Sequence, residues 1–599
     1  MLSSLRRASV VSVLLCLSLL ALPGFAQAAP AAAPATVVEA VPAQSYDLAP
    51  SVVSLNGQQA VLFVNPQGRI ALRLGEQVQT LDDGTEKPGG QYVRLHFDGE
   101  RLYALWWQKL NNAGKKLYLR VSEDGGKTFG PVVTLNSGLG VLPVYQIASD
   151  GQGRVVVVWY DERQPRFQIY LNRSLDGGKT WLEQDVRLDS QPVPKPPKKG
   201  GEPFAIEPSL VFHGERLVAV WKERRETGDK KAEMLVLERH SDDGGSTWSP
   251  EVVVHRGADF LVSETLTSSS QGLWLVGYQA GAGLLAFRSD NGEKWEALGA
   301  LEGSSGHKAI SQIRSARLPE RLALVYTLEP RDKLKKPQVH FAALDLAKRA
   351  WVGPSVRLDD SPYDATTAWT PDLLALPGGE LLAVWEDRRN IRPSIFFTLS
   401  KDGGATWSKP ARSLDQPGAH LWERPALSFL GDKVRVFFDQ WRDDGKQVRD
   451  LRYLDLPYAE GAGLDLSGLP QSPAVDVEAR KQRLKERAEA LWKLRVEAKW
   501  EDAYQYLDPA YRAKNNLNQY LAYQGNIVYQ SYEITDFQVW DNIGGVIVKI
   551  NFKVPEMQVA GQPFKVDAGK DVLRSEWVWI ENDWYMVQPV GIKGRSIDY

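Results

Sequence analysis

Cysteine is almost absent: the 599-residue chain has one, Cys16. No disulfide can form within it, and no cysteine cluster can hold zinc. Neither sign of charge is in excess, with 72 Lys and Arg against 74 Asp and Glu for a net charge of −2. That balance excludes the strongly basic profile of a dedicated nucleic-acid binder and leaves only local electrostatic recognition. The seven histidines are scattered, with no H-E-x-x-H or H-x3-H pair. No phosphate loop, dinucleotide fingerprint or EF-hand spacing occurs either, so neither a metal nor a cofactor is expected. Beyond the first 28 residues no apolar run approaches the roughly 20 residues that span a bilayer, so no membrane span is expected.

Those first 28 residues carry Arg6 and Arg7, an apolar run from Ala8 to Leu22, and Ala26-Gln27-Ala28. The layout is that of an export signal with a small-x-small cleavage site, and cleavage is expected after Ala28. Removal takes Cys16 and both arginines with it, moving the net charge from −2 to −4. The mature protein is expected in the periplasm or outside the cell. Residues 29–35, rich in Ala and Pro, read as a flexible lead-in.

Tryptophan and glycine are plentiful, at 20 and 51 residues, and they recur in one pattern. Ser122-Glu-Asp-Gly-Gly-Lys-Thr-Phe129, Ser174-Leu-Asp-Gly-Gly-Lys-Thr-Trp181, Ser241-Asp-Asp-Gly-Gly-Ser-Thr-Trp248 and Ser400-Lys-Asp-Gly-Gly-Ala-Thr-Trp407 are near copies, and Arg288-Ser-Asp-Asn-Gly-Glu-Lys-Trp295 is a weaker fifth. The chemistry is that of a hairpin turn. The carboxylate accepts backbone N–H groups and a hydroxyl, glycine supplies a positive φ, and the aromatic ring anchors the turn to a sheet. The aspartates at 124, 176, 243, 290 and 402 therefore read as structural. Their spacings of 52, 67, 47 and 112 place one further unit near Leu344–Trp351, where only the tryptophan survives. Before the boxes run strand-like segments such as ERLYALWW, GRVVVVWY, ERLVAVWK and GELLAVWE. Each unit reads as four short strands with the box between the third and fourth, which is a propeller blade. The last unit ends after three strands, and Thr36–Val41 is a spare strand able to complete it. Eight blades follow, with seven or six as alternatives.

The boxes resemble the Asp-box, or bacterial neuraminidase repeat, of the sialidase superfamily, over about 420 residues. The resemblance implies a mainly β fold, an Asp-box propeller over 36–456, with function on the face opposite the boxes. Three second strands end in Trp159-x-Asp161-x-Arg163, Trp221-x-Glu223-x-Arg225 and Trp385-x-Asp387-x-Arg389, and Phe437-x-Asp439 reads as a partial fourth copy. Two readings of this motif stand side by side. In one, Arg163, Arg225 and Arg389 converge on a ligand carboxylate, with Asp161, Glu223, Asp387 and Asp439 as candidate catalytic carboxylates and Glu207 as a further one. In the other, each acid neutralises its own arginine and pins a loop. The chain departs from sialidases in lacking an Arg-Ile-Pro motif, and no tyrosine–glutamate pair is evident. Across six second-to-third-strand loops basic residues outnumber acidic ones 20 to 13, whereas the boxes carry 5 basic and 8 acidic. That asymmetry points to an anionic ligand on the loop face. The Pro/Lys-rich stretch Gln191–Gly201 is expected on the same face as a flap or linker.

Residues 457–474 read as a Gly/Pro/Ser linker. Val477–Leu507 has helical composition, with Leu484, Ala488, Leu491, Val496, Trp500 and Tyr504 on one stripe, and Asp508-Pro509 as a stop. Strand patterns follow at 532–539, 545–554 and 573–588. The long helix, the L-D-P-x-Y-R segment and the closing W-x-W…W-Y hairpin resemble the nuclear transport factor 2-like α+β cone over 475–599. That resemblance implies a ligand-holding or dimerisation module. The expected function is binding of a glycan or another anionic envelope or extracellular ligand on the loop face. The alternatives are an exo-acting sialidase-like glycoside hydrolase and a non-catalytic protein-interaction scaffold.

Overall fold

The computed structural model describes residues 36–588 apart from short internal segments, the longest being 191–203. The export signal, the lead-in and the stretch Gln191–Gly201 lie outside the described residues.

The protein is mainly β. Between residues 36 and 459 the described strands form eight antiparallel sheets of at least four strands, seven of them in simple chain order. These are the blades of a propeller. The eighth sheet is composed of Trp422–Phe429, Lys433–Trp441 and Val448–Ala459, with Thr36–Pro42 as its outermost strand. Thr36 faces Tyr453 and Pro42 faces Val448, so the chain's two ends of the ring share one sheet.

Consecutive sheets pack face to face through shared apolar clusters, and the last joins the first where Phe437 and Leu451 meet Val61, Phe63 and Ala71. Trp106, Trp159, Trp221, Trp274 and Trp385 are fully buried in the second strands. Each removes on the order of 200 Å² from water, about 5 kcal/mol of transfer free energy at about 25 cal/mol per Å². The first strands lie side by side nearest the axis. They are cross-linked by polar contacts, among them Arg94 Nη1 to Gln146 Oε1 (2.8 Å), Leu427 N–H to Asp372 Oδ2 (2.7 Å) and, at the closing seam, Ser54 Oγ to Ser428 Oγ (2.9 Å).

Four boxes share one geometry. In the first, Ser122 Oγ donates to Asp124 Oδ1 (2.8 Å), Gly126 N–H donates to Ser122 Oγ (2.7 Å), and Thr128 donates its N–H and hydroxyl to Asp124 (2.9 and 2.6 Å). These bonds hold the carboxyl group at a pKa of about 2. In the fifth copy Lys294 stands where the others have threonine, and Asp290 takes Arg288 instead. A second repeated device ends the fourth strand: Leu81-Asp82, Leu135-Asn136, Leu188-Asp189 and Leu358-Asp359. The leucine N–H donates to a third-strand carbonyl, and the Asp or Asn side chain accepts the N–H of that same third-strand residue, namely Ile70, Leu117, Ile169 and Val339.

After Ala459 the chain stays on the ring, with Leu464, Leu466 and Leu469 packed against the cluster of the last two blades. Helix Val477–Val496 then begins at Asp476, whose side chain accepts Ala479 N–H (3.0 Å). It packs Leu484, Ala488, Leu491 and Trp492 against a four-stranded antiparallel sheet built from Val528–Trp540, Ile543–Val559, Gln562–Ile580 and Asp583–Met586. Asp508-Pro509 opens a short helix, Pro509–Lys514, rather than only ending one. Proline is well placed at a first helical position because it has no N–H to leave unpaired there.

Candidate functional site

Side chains alternate across a strand, so the Trp, acid and Arg of each W-x-[DE]-x-R segment share one side. In blade 3 Trp159 Nε1 donates to Asp161 (3.3 Å), Arg163 Nη2 donates to Asp161 (2.6 Å), and both Arg163 terminal nitrogens bond Asp185 (2.7 Å each). The guanidinium stacks on Tyr170 at 3.9 Å. Blade 4 repeats this with Trp221 to Glu223 (3.1 Å), Arg225 to Glu223 (2.7 Å) and Arg225 to Glu251 (2.6 Å). Blade 7 repeats it with Trp385 to Asp387 (2.9 Å), Arg389 to Asp387 (3.0 and 2.7 Å) and Arg389 to Asp360 (2.9 Å). Asp161, Glu223 and Asp387 are all buried. Arg163, Arg225 and Arg389 thus each hold two carboxylates of the surrounding loops. The second acid of each set, Asp185, Glu251 or Asp360, has no motif of its own and lies 22 to 29 residues from its arginine.

Asp439 stands apart from this series. Past a bulge in each first strand, Ser209 faces Val220, Asp372 faces Val384 and Ala426 faces Phe437. Phe438 therefore matches Trp221 and Trp385, and Asp439 matches Lys222 and Glu386. A slip of one residue moves a side chain to the opposite side of its sheet.

That other side forms the mouth of the ring, at the end away from the boxes. The bulges of blades 4, 6, 7 and 8 hold Glu207, Gln312, Thr370 and Arg424 at φ of 52, 54, 48 and 54°. Left-handed backbone in a non-glycine residue costs about 1–3 kcal/mol and gathers at functional sites. Proline follows three of the four, at 208, 371 and 425. Around them Lys222 is paired with Glu207, and Arg424 with Asp439. Gln312 Oε1 accepts Thr327 Oγ1 (2.8 Å) and, from the next blade, Thr370 N–H (2.9 Å). Trp369 Nε1 and Arg388 Nε donate to Glu386 Oε1 (2.7 and 3.1 Å), and Arg388 reaches across to Glu423 of blade 8 (3.5 Å).

Burial pushes the Glu386 carboxyl up, Arg388 opposes this, and Glu423 adds to it. Burial raises the Tyr160 phenol of blade 3, and the Glu207 carboxylate of blade 4 adds to this. The repeated motif is the same in three blades, whereas this cluster is asymmetric: the Trp369–Glu386–Arg388–Glu423 set crosses one blade boundary. Glu207 belongs to it, as does Asp439. The remaining members carry no sequence motif, and a proline after a polar residue at the start of a first strand is the only signal they leave. Among the described residues no three His, Cys, Asp or Glu side chains gather into a metal site, and no helix is long and apolar enough to cross a membrane.

Solved structures similar to the chain include sialidases. A Hadza microbial sialidase is 15% identical over 68% of this chain and 74% of its own, with a TM-score of 0.32. A leech intramolecular trans-sialidase complexed with 2,7-anhydro-Neu5Ac is 13% identical over 71% of this chain and 94% of its own, with a TM-score of 0.31. A Penicillium chrysogenum alpha-L-arabinanase complexed with arabinobiose is 14% identical over 71% and 99%, with a TM-score of 0.33. No family model matches the chain, and no curated protein does.

Proposed function

We propose that the chain is an exported propeller protein that binds a glycan at the ring mouth, on the face opposite the boxes. What carries the reading is the cluster across blades 7 and 8. Trp369, Glu386, Arg388 and Glu423 combine a half-buried indole with planar donors and acceptors, the chemistry that grips a sugar ring and its vicinal hydroxyls. The basic surplus of the surrounding loops favours an acidic glycan or another anionic envelope ligand. In this reading residues 1–28 are the export signal, 36–456 the propeller and 457–474 the linker. Residues 475–599 are a nuclear transport factor 2-like module that holds ligand or dimerises.

A glycoside hydrolase is the second reading, favoured by one observation: Glu386 and Glu423, both buried, flank Arg388, and burial holds Glu386 toward its protonated form. Glycosidic cleavage uses two carboxyl groups, one of them protonated to act as the acid.

An acidic-glycan array with product detection, run on the full mature chain, tests both. The expected outcome is binding without product, weakened about tenfold or more in Trp369→Ala, roughly the loss of one stacked aromatic contact. Released product that disappears in Glu386→Gln would establish the hydrolase. Failure to bind any glycan would reject both.

A further inference from the structure

The box of each box-bearing blade sits on the preceding blade. A Cβ on Gly178 would meet Val121 and Tyr103 of blade 2, one on Gly245 would meet Val156 and Arg173 of blade 3, and one on Gly404 would meet Phe341 of blade 6. At the closing seam this arrangement fails. Blade 1 connects its third and fourth strands through Gly75–Glu76 alone, which leaves no room for a box. The matching seat on blade 8 is formed by Arg435 and Asp455, paired in register as Val156 and Arg173 are. It remains open as a cavity of about 220 Å³.

The open seat is built. Phe437, 2% exposed, and Tyr453 supply its apolar wall. Arg435 stacks on Tyr453 at 3.6 Å and is fixed by Asp455 through two hydrogen bonds of 2.6 and 2.8 Å. Its third nitrogen donates to Gln59 Oε1 at 3.1 Å, which orients the amide. Gln59 is 6% exposed, and its Nε2 has no hydrogen-bond partner among the described residues. A buried donor without an acceptor is costly and rare in folded proteins. Lys433 adds a cation at the rim, 3.5 Å from Asp455. Arg73, bonded to Glu76 at 2.9 Å, adds another. With Arg73, Lys433 and Arg435 against Glu76 and Asp455, the seat carries one net positive charge.

We propose that this seam cavity binds a small monocarboxylate of single-sugar size, with the carboxylate at Gln59 Nε2 and Lys433 and the ring against Phe437 and Tyr453. The site is at the box end of the ring, away from the mouth, and does not depend on the glycan reading.

Isothermal titration of the full mature chain with D-glucuronate, D-glucose and acetate tests it, with the thermal midpoint of each variant as the folding check. Glucuronate is expected to bind at least about tenfold more tightly than either glucose, which lacks the charge, or acetate, which lacks the ring. Gln59→Leu and Lys433→Ala should each weaken glucuronate several-fold, and Trp369→Ala should leave it unchanged. If Gln59→Leu does not fold, Lys433→Ala carries the test. Equal affinity for all three probes would overturn the proposal. So would glucuronate binding lost in Trp369→Ala but kept in both seam variants.

Discussion

At the scale of single residues, Glu238 is a fully buried carboxyl group. It sits on the third strand of blade 4 with no solvent exposure, beneath Gly292 of the fifth box. One oxygen lies 3.2 Å from His240 Nδ1, and the other has no hydrogen-bond partner among the described residues. Burial raises its pKa from the ordinary 4.5 to about 8, with Arg216 opposing and Glu293 adding. Between those two pH values the folded protein keeps a proton that the unfolded chain has released. Stability therefore falls as pH rises from about 4.5 to 8. His240, whose pKa burial lowers, works the other way below its own ordinary value. The comparison with Glu238→Gln isolates the carboxyl group. Urea midpoints of the two proteins should lie close at pH 5, and the variant should be the more stable at pH 8.5. Parallel profiles would show that Glu238 ionises freely in the fold.

At the scale of elements, the strand Thr36–Pro42 covers the outer edge of Val448–Ala459 from Val448 to Tyr453, and Gly463–Leu464 pairs with its end at Tyr458 and Ala459. An uncovered edge presents a row of unpaired backbone groups to other chains. A mature chain that begins after Pro42 should melt at a lower temperature and associate as its concentration rises, by calorimetry and sedimentation. A monomer with the original midpoint would mean that the ring closes without this strand. The spare strand was legible from the unit count, and the boxes were legible because their chemistry is local: serine, aspartate, glycine and threonine within seven residues bond one another. The mouth was much less legible. Its members come from different blades, and their side is set by first-strand bulges that shift register by one residue. Asp439 is separated from Glu223 and Asp387 by its place along the second strand, where Phe438 and not Phe437 holds the position of Trp221 and Trp385, although the letters Phe-x-Asp align with Trp-x-Asp. The acids that neutralise Arg163, Arg225 and Arg389 were hidden for a similar reason, since each follows its arginine only after a whole strand and turn, or precedes it by one.

At the scale of the whole molecule, the chain has two kinds of core. The ring is a closed succession of clusters, each shared by neighbouring blades, so that losing one weakens two sheets and through them the closure. The cluster formed by Leu484, Trp492, Tyr520, Trp577 and Trp584 draws only on residues 484–586. With no disulfide to couple them, these cores should unfold as two transitions rather than one. Trp584→Ala and Trp221→Ala each remove a fully buried indole, at a cost of about 3–5 kcal/mol. Trp584→Ala should lower only the transition of the C-terminal core, and Trp221→Ala only that of the ring. Scanning calorimetry in which both substitutions move both transitions together would instead make the chain a single cooperative body. Ligand bound at the mouth would then have to stabilise the C-terminal core as strongly as the ring.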